Sequence, residues 1–487
     1  MAAGLMIGVE SSPEGTHAVL LDGERIVATA SHMQPSADPG LIAAVLLDLV
    51  SQAPEAAQAR GVAIATGRFD VAVQDRVALA RIACVRLQAT AEDVVPALSG
   101  WPPELLGAVG GVTRVLRGGC GYDGTPLGAP TTDELDALAL NLLAQQVEAI
   151  AVTAEFAPVD PSAEMDLGTG LAARLPGVPV ALSHSLGSIG LIERENATAL
   201  NAALLPLAAR LTAELEHEVS QVLPGVRAYL VRLDGTLMEL PFAHRFPVFT
   251  LGCLEASRLR GLARLAGQRD CLVAGLRAGR RWLNVVRGGE PGASARGQVI
   301  AGVPTCLAGL DIVHVEAGEL GWRLAGQMMG WLQASWVAAH SDDDLPAAAP
   351  EQAALAGAVG AASTRIAGLV DRIGPGRAGH RTADHQSAWD ASGAGGAGTG
   401  GAGSGGAGTD GARGGGPGSV SSVADGAGGA RASRTASEPD RRLATERAIL
   451  AGALEGTIEI TAVEEVPLAY VPGDLVRLRV VATGELP

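Results

Sequence analysis

The sequence predicts an α/β protein built from two similar subdomains and a small β-rich C-terminal unit. Three observations carry this. Apolar runs of strand length alternate with stretches of helical spacing, a strand–turn–strand pattern near residues 5–28 returns near 271–300, and a Gly-rich stretch sets off the last part of the chain.

The first element is Leu5-Met6-Ile7-Gly8-Val9. A polar turn over 10–17 leads to Ala18-Val19-Leu20-Leu21, and Asp22-Gly23 leads to Arg25-Ile26-Val27-Ala28, a pattern that predicts a hairpin meander. Leu41, Val45, Leu46 and Leu49 fall at helical spacing within 39–51, and 62–65 and 82–87 read as strands. Thr131 stands three residues before Glu134, the capping-box pattern, and Leu135, Leu138, Leu142 and Val147 continue one helical face. Further strands are expected at 149–153 and 178–182.

A long amphipathic helix is expected over 197–223. Pro206 should kink or restart it, because its ring removes an N–H and crowds the preceding turn. Residues 228–231, Asp234-Gly235 and 237–240 repeat the strand–turn–strand pattern. A second meander starts near Cys271 and continues through Leu283-Asn284-Val285-Val286, Arg287-Gly288-Gly289 and Gln298-Val299-Ile300. Over 392–432 Gly, Ala, Ser and Thr dominate, too little apolar surface to offset the entropy of ordering, so a flexible linker is expected. After it come a helix at 441–454 and strands at 456–463 and 475–481 around Pro472-Gly473. The expected division is 1–190 and 191–385 for the two lobes, 386–435 for the linker and 436–487 for the C-terminal unit.

Composition excludes several functions. With 487 residues, 47% of them hydrophobic, the chain has material for two or three cores. Its 52 acidic against 36 basic side chains give a net charge of −16, which disfavours nucleic acid and anionic membrane surfaces as partners. There is no lysine, so a Schiff-base amine, a pyridoxal-phosphate lysine and a P-loop lysine are all ruled out. Cys84, Cys120, Cys253, Cys271 and Cys306 are widely spaced, without a C-x-x-C pair, which argues against a disulfide scaffold or a zinc knuckle. The N-terminus lacks a basic n-region, and the apolar run 41–49 is too short for a bilayer and is broken by Asp48. A cytoplasmic protein without signal peptide or membrane span is expected.

Ile7-Gly8-Val9-Glu10 followed by Ala18-Val19-Leu20-Leu21-Asp22-Gly23 resembles the opening of the hydantoinase/oxoprolinase family. The likeness continues, in order, at Gly121-Tyr122-Asp123-Gly124, Val147-Glu148-Ala149-Ile150-Ala151-Val152, Leu182-Ser183-His184 and the run from Ile189 through Glu193-Arg194-Glu195-Asn196-Ala197-Thr198. It extends to Asp234-Gly235-Thr236-Leu237-Met238 and Glu464-Glu465-Val466-Pro467-Leu468-Ala469-Tyr470. The resemblance implies a two-lobed actin-like ATPase architecture of the ribonuclease H-like kind, clasping ATP and magnesium. It also implies ATP-dependent opening of cyclic amides such as hydantoins or 5-oxoproline, or service as a ketone carboxylase subunit. The partner so implied is a hydantoinase B-type subunit or a second copy of the chain.

The resemblance places a first phosphate loop, approximately D-x-G-G-T-x-T-D, at Glu10, Ser11, Ser12, Pro13, Glu14, Gly15, Thr16 and His17. Glu10, Ser12, Gly15 and Thr16 are its candidate cofactor contacts, and Glu10 is the one candidate for a catalytic role. Pro13 has no N–H to donate, and Glu14 sets a carboxylate where a hydroxyl should meet phosphate. At an effective dielectric of about 20, two like charges ~4 Å apart repel by roughly 4 kcal/mol, enough to cancel several hydrogen bonds.

The second phosphate loop falls on Gly275-Leu276-Arg277-Ala278-Gly279-Arg280-Arg281-Trp282, where both acidic ends are replaced; Gly279 and Arg280 are its candidate contacts. Arg277, Arg280 and Arg281 have the guanidinium forks suited to an anion, or form a solvated surface. The family's S-G-P segment becomes Cys253-Leu254-Glu255, and its late glycine cluster becomes Ala317-Gly318-Glu319-Leu320-Gly321. Impaired nucleotide binding is therefore expected.

His380 and His385 near Asp384, and His340 before Asp342-Asp343-Asp344, lack established metal-ligand spacing, and no metal is assigned. Cys120 has small neighbours but no nearby histidine or lysine to activate it. Three functions stay open: an ATP-dependent cyclic-amide hydrolase or carboxylase subunit, a catalytically silent partner subunit, and an anion or small-molecule binder.

Overall fold

A computed structural model describes residues 4–34, 40–90, 95–187, 190–277, 280–315, 335–339, 349–375, 438–467 and 475–486. The expected linker 392–432, the glycine cluster 317–321, His340 with Asp342–344, His380, Asp384, His385 and Gly279 lie outside these residues.

The N-terminal meander forms as expected, from β1 (Leu5–Ser12), β2 (Gly15–Asp22) and β3 (Arg25–His32), antiparallel throughout. Strand alternation sends Ile7, Val9, Ala18 and Leu20 to one face, where they pack with Val45, Leu46 and Leu49 of α1 (Leu41–Gln52). After β4 (Val62–Thr66), parallel to β1, comes α2 (Arg68–Asp75). The chain then builds β5 (Ile82–Gln88), α3 (Pro103–Val109), β6 (Val112–Arg117), α4 (Thr132–Ala144), β7 (Ala149–Ala154), α5 (Ser162–Arg174) and β8 (Val180–Leu182). The capping box at the start of α4 is complete, with Thr131 and Glu134 each satisfying the other's backbone N–H.

The long helix α6 (Leu191–Val222) begins earlier than its amphipathic pattern suggests and runs through Pro206 without stopping or restarting. Packing accounts for this. Its buried residues join one apolar cluster with Ile7 and Ile64 on one side and Ile82, Cys84 and Ala151 on the other, so the helix is held between two sheets. Next come β9 (Ala228–Val231), β10 (Leu237–Glu239), α7 (Leu240–Arg245), α8 (Cys253–Leu265), β11 (Cys271–Arg277), β12 (Arg280–Arg287), β13 (Glu290–Pro291), β14 (Ala293–Ile300), β15 (Val303–Leu310), β16 (Val313–Val315) and β17 (Ser335–Ala338). The described chain ends with α9 (Ala356–Ala362), β18 (Ile366–Pro375), α10 (Glu438–Leu450), β19 (Glu459–Pro467) and β20 (Leu475–Gly484).

The strands assemble into a mixed α/β architecture. A nine-stranded sheet has the order β19-β20-β18-β10-β9-β4-β1-β2-β3, and a four-stranded sheet the order β6-β5-β7-β8; β11, β12, β13, β16 and β17 form a third sheet, and β14 with β15 a two-stranded one. The first expected meander lies in the large sheet, whereas the second forms only in part: β11 and β12 pair in the third sheet, but β14, which holds Gln298-Val299-Ile300, pairs with β15 in a sheet of its own. Helices α8 and α9 pack between the first meander and the β11–β12 pair. One expectation is corrected. The C-terminal strands are not a small unit of their own, because β20 pairs along β18 from Ile366↔Gly484 to Pro375↔Leu475 and so continues the large sheet. Among the described residues no helix is long and apolar enough to cross a membrane.

Candidate functional site

The eight positions expected to form the first phosphate loop are mostly strand. β1 continues to Ser12 and β2 starts at Gly15, leaving Pro13 and Glu14 as a two-residue connection. Glu10 faces His17, Ser11 faces Thr16 and Ser12 faces Gly15 in the ladder. Backbone groups in such a ladder are turned toward the neighbouring strand, away from a ligand above the turn. The hydroxyls are also spent: Ser12 Oγ donates to the Gly15 carbonyl at 3.2 Å, and Thr16 Oγ1 donates to Ser11 Oγ at 3.5 Å. The polar turn read over 10–17 is therefore corrected to a tight hairpin, held in ladder because its polar side chains find partners inside the fold.

Glu10 is 2% exposed and its partner comes from α8. Arg258 Nε donates to Glu10 Oε1 at 2.6 Å, one terminal guanidinium nitrogen lies 2.5 Å from the same oxygen, and that nitrogen reaches Glu14 Oε2 at 3.4 Å. The other carboxylate oxygen lies against Gly357 of α9, where a β-carbon would overlap it. Burial pushes the Glu10 pKa upward and outweighs the opposing pull of Arg258. Glu14 is mostly exposed, and the Ser12 hydroxyl holds its pKa below the usual value, with Arg258 adding to the effect. The turn is closed from the side as well. A β-carbon at Gly67 would stand 2.9 Å from Leu254 and 3.8 Å from Pro13, so both side chains pack over that glycine.

A nucleoside triphosphate with magnesium requires backbone N–H donors or cations turned toward its phosphates. The hairpin offers instead a proline, two carboxylates and an arginine already shared between them. These residues do not fit the group.

The second expected loop is also hairpin. β11 and β12 pair from Cys271↔Val286 to Arg277↔Arg280, so Gly275 faces Trp282. The indole occupies the space where a side chain at Gly275 would project. Gly275 and Trp282 thus form a cross-strand pair in which an aromatic ring covers a glycine. The side chains of Arg277, Arg280 and Arg281 lie outside the described structure. The Cys253-Leu254-Glu255 segment opens α8, where Cys253 Sγ donates to the Thr66 carbonyl at 3.4 Å and Asp70 Oδ1 accepts from Gly252 N at 2.9 Å. Arg258 was not among the sequence candidates; an arginine on a helix surface carries no local signal that its partner lies in the first strand.

No family model matches the chain, and no curated protein matches it. Among solved structures, the fold is similar to nucleotide-free acetone carboxylase, described with a mechanism of ATP-dependent acetone carboxylation, at 14% identity and TM-score 0.53; the match covers 65% of this chain and 48% of that one. It is also similar to the ATP-dependent caprolactamase from Pseudomonas jessenii, at 16% identity and TM-score 0.52, over 64% of this chain and 48% of that one. The chain spans about half the length of these two proteins.

Proposed function

We propose that this chain is a nucleotide-silent relative of the hydantoinase/oxoprolinase family, with the fold of ATP-dependent amide- or ketone-transforming enzymes but without their nucleotide step. Two likenesses support the family: the ordered sequence motifs and the shared fold with an acetone carboxylase and a caprolactamase. One observation carries the loss of the nucleotide step. Glu10 and Glu14 share Arg258 over a hairpin closed by Pro13, where a phosphate would have to lie. The role that remains is a supporting subunit, with a hydantoinase B-type protein or a second copy of the chain as partner, in the cytoplasm.

Isothermal titration of the full chain with ATP and ADP plus magnesium tests this. The expected result is no binding tighter than about 1 mM, the weak end of specific affinity. A micromolar dissociation constant would overturn the proposal and restore ATP-dependent hydrolysis of a cyclic amide, or ketone carboxylation, as the better reading.

A further inference from the structure

The four-stranded sheet carries a second group of ionisable side chains, away from the first hairpin. All its pairs are parallel, and the chain lays β6 on one side of β5 before crossing to β7 on the other. The strand order therefore reverses between β5 and β7, and in open parallel sheets ligands bind in the crevice at the carboxyl ends of the strands at such a point. The loop after β6 passes over the carboxyl ends of β5 and β7. Gly119 has φ 89°, and a β-carbon there would stand 3.6 Å from both the Leu87 and Glu155 carbonyls.

At the same edge Glu164, fully buried at the start of α5, reaches over the ends of β7 and β8. It accepts from Ala154 N at 2.7 Å, His184 N at 3.0 Å and Ser183 Oγ, and its Oε2 is 2.8 Å from His184 Nδ1. Arg194 Nε donates to Ser183 Oγ at 2.9 Å, and a terminal nitrogen donates to the Ala154 carbonyl at 2.7 Å. The next residue, Glu195, takes Arg86 through two bonds of 3.0 and 2.5 Å. Burial drives the Glu164 pKa upward, but His184, Arg194 and Ser183 outweigh it and the net shift is down. With the Glu164 carboxylate as acceptor, Nδ1 is the nitrogen of the His184 ring that carries the hydrogen in this contact, and Nε2 is the one turned to other partners. That ring is 21% exposed.

Cys120, in the loop after β6, also feels Asp160, Asp123 and Glu164. Its Sγ donates to the Phe156 carbonyl at 3.5 Å, and burial pushes its pKa to about 11, so the thiol stays protonated. Arg86 pairs with Glu195 and Arg194 lies in the field of Glu164, while Asp160 and Asp123 add negative charge beside Cys120, so the surroundings disfavour an anionic ligand. What is left over is neutral: Nε2 of His184, and the hydroxyl of Thr153, 1% exposed on β7, which has no hydrogen-bond partner.

We propose that this crevice is a nucleotide-independent acid–base site, in which His184 Nε2, with its Nδ1–H held by Glu164, accepts a proton from a small uncharged molecule bearing an O–H or N–H bond. The base oriented by a buried carboxylate is a recurrent arrangement for proton abstraction. The proton moves to Nε2, the imidazolium is stabilised by Glu164, and the proton returns to the product or to water without any transfer of electrons.

The probes are p-nitrophenyl acetate and diethylpyrocarbonate, used on the full chain without nucleotide. With the ester, water gives its proton to Nε2, its oxygen adds to the acyl carbon, and p-nitrophenolate leaves. Changing His184→Gln should lower this release on the order of tenfold or more, the lower range of general-base catalysis. With diethylpyrocarbonate, peptide mapping should find His184 acylated at least as fast as the exposed His217, and Glu164→Gln should slow His184 selectively. The His184→Gln comparison stands even if Glu164→Gln fails to fold, since that ring is partly exposed. Equal ester hydrolysis in wild type and His184→Gln, or His184 acylation slower than His217 and insensitive to Glu164, would overturn the proposal and leave a histidine that only ties β8 to α5.

Discussion

At the scale of single residues, Glu10 shows how a carboxylate is kept inside a fold at some cost. Arg258 stays charged throughout the physiological range, so the proton at issue belongs to Glu10. Its folded pKa is raised above 4.5, chiefly by burial. Between 4.5 and the raised value the folded state binds more protons than the unfolded one, so the contribution of Glu10 is fully present below 4.5 and is lost as pH rises through the folded pKa. Gln carries no such titration. Melting temperatures of wild type and Glu10→Gln between pH 4 and 8 should therefore diverge in favour of Gln as pH rises. A difference that moves the other way would mean that Arg258 stabilises the ionised form more than burial opposes it. Half of this site is legible in the sequence, because Pro13, which lacks an N–H, and the carboxylate of Glu14 can be read there directly as poor donors to a phosphate. The other half is not, since Arg258 lies 248 residues from Glu10 and only the fold brings them together.

Among elements, the contact between α8 and α9 decides where the first hairpin can sit, for α9 also lies on β1 and carries Gly357 against Glu10. The two helices approach backbone to backbone. A β-carbon at Gly261 would overlap the Ala356 carbonyl oxygen, and one at Gly360 would overlap the Ser257 carbonyl oxygen. Alanine in a helix interior is ordinarily better than glycine by ~1 kcal/mol. Here the obstacle is main chain, which cannot rotate aside, so Gly261→Ala should destabilise by on the order of 2 kcal/mol through overpacking. Gly107 in α3 supplies the contrast, since a β-carbon there meets nothing within 4 Å and Gly107→Ala should stabilise. Urea denaturation of the two variants should give opposite signs; the same sign in both would show that the helices are not in close contact. The strands β1 to β3 are legible because alternation and Asp22-Gly23 mark them. α9 is not, because Ala-Gly-Ala-Val-Gly-Ala-Ala is small and apolar on every side and its helical identity comes from what it is pressed against.

At the scale of the molecule, the large sheet gathers both ends of the described chain. Ala63 and Ala65 of β4, Tyr229 of β9, Val370 of β18, Ala444 and Ala448 of α10 and Val480 of β20 form one apolar cluster. Arg60, just before β4, donates to the Leu486 carbonyl and pairs with Glu485 at 3.8 Å. From the sequence these C-terminal strands look separable, because a run of Gly and Ala precedes them and short strands around Pro472-Gly473 resemble a self-contained unit. Pairing partners are a property of the whole fold, and β18, their partner, leaves no signal strong enough to identify it in advance. Removal of residues 438–487 distinguishes a separate unit from a sheet edge. It would strip β18 of its entire antiparallel neighbour and uncover Ile366 and Val370, both now buried. An exposed apolar strand edge invites pairing between molecules. The shortened chain should lose a cooperative thermal transition near that of the full chain and should elute as aggregate in size-exclusion chromatography. A monomer with an unchanged melting temperature would instead mean that the C-terminal strands add nothing to the large sheet, and that the first hairpin is held in place without them.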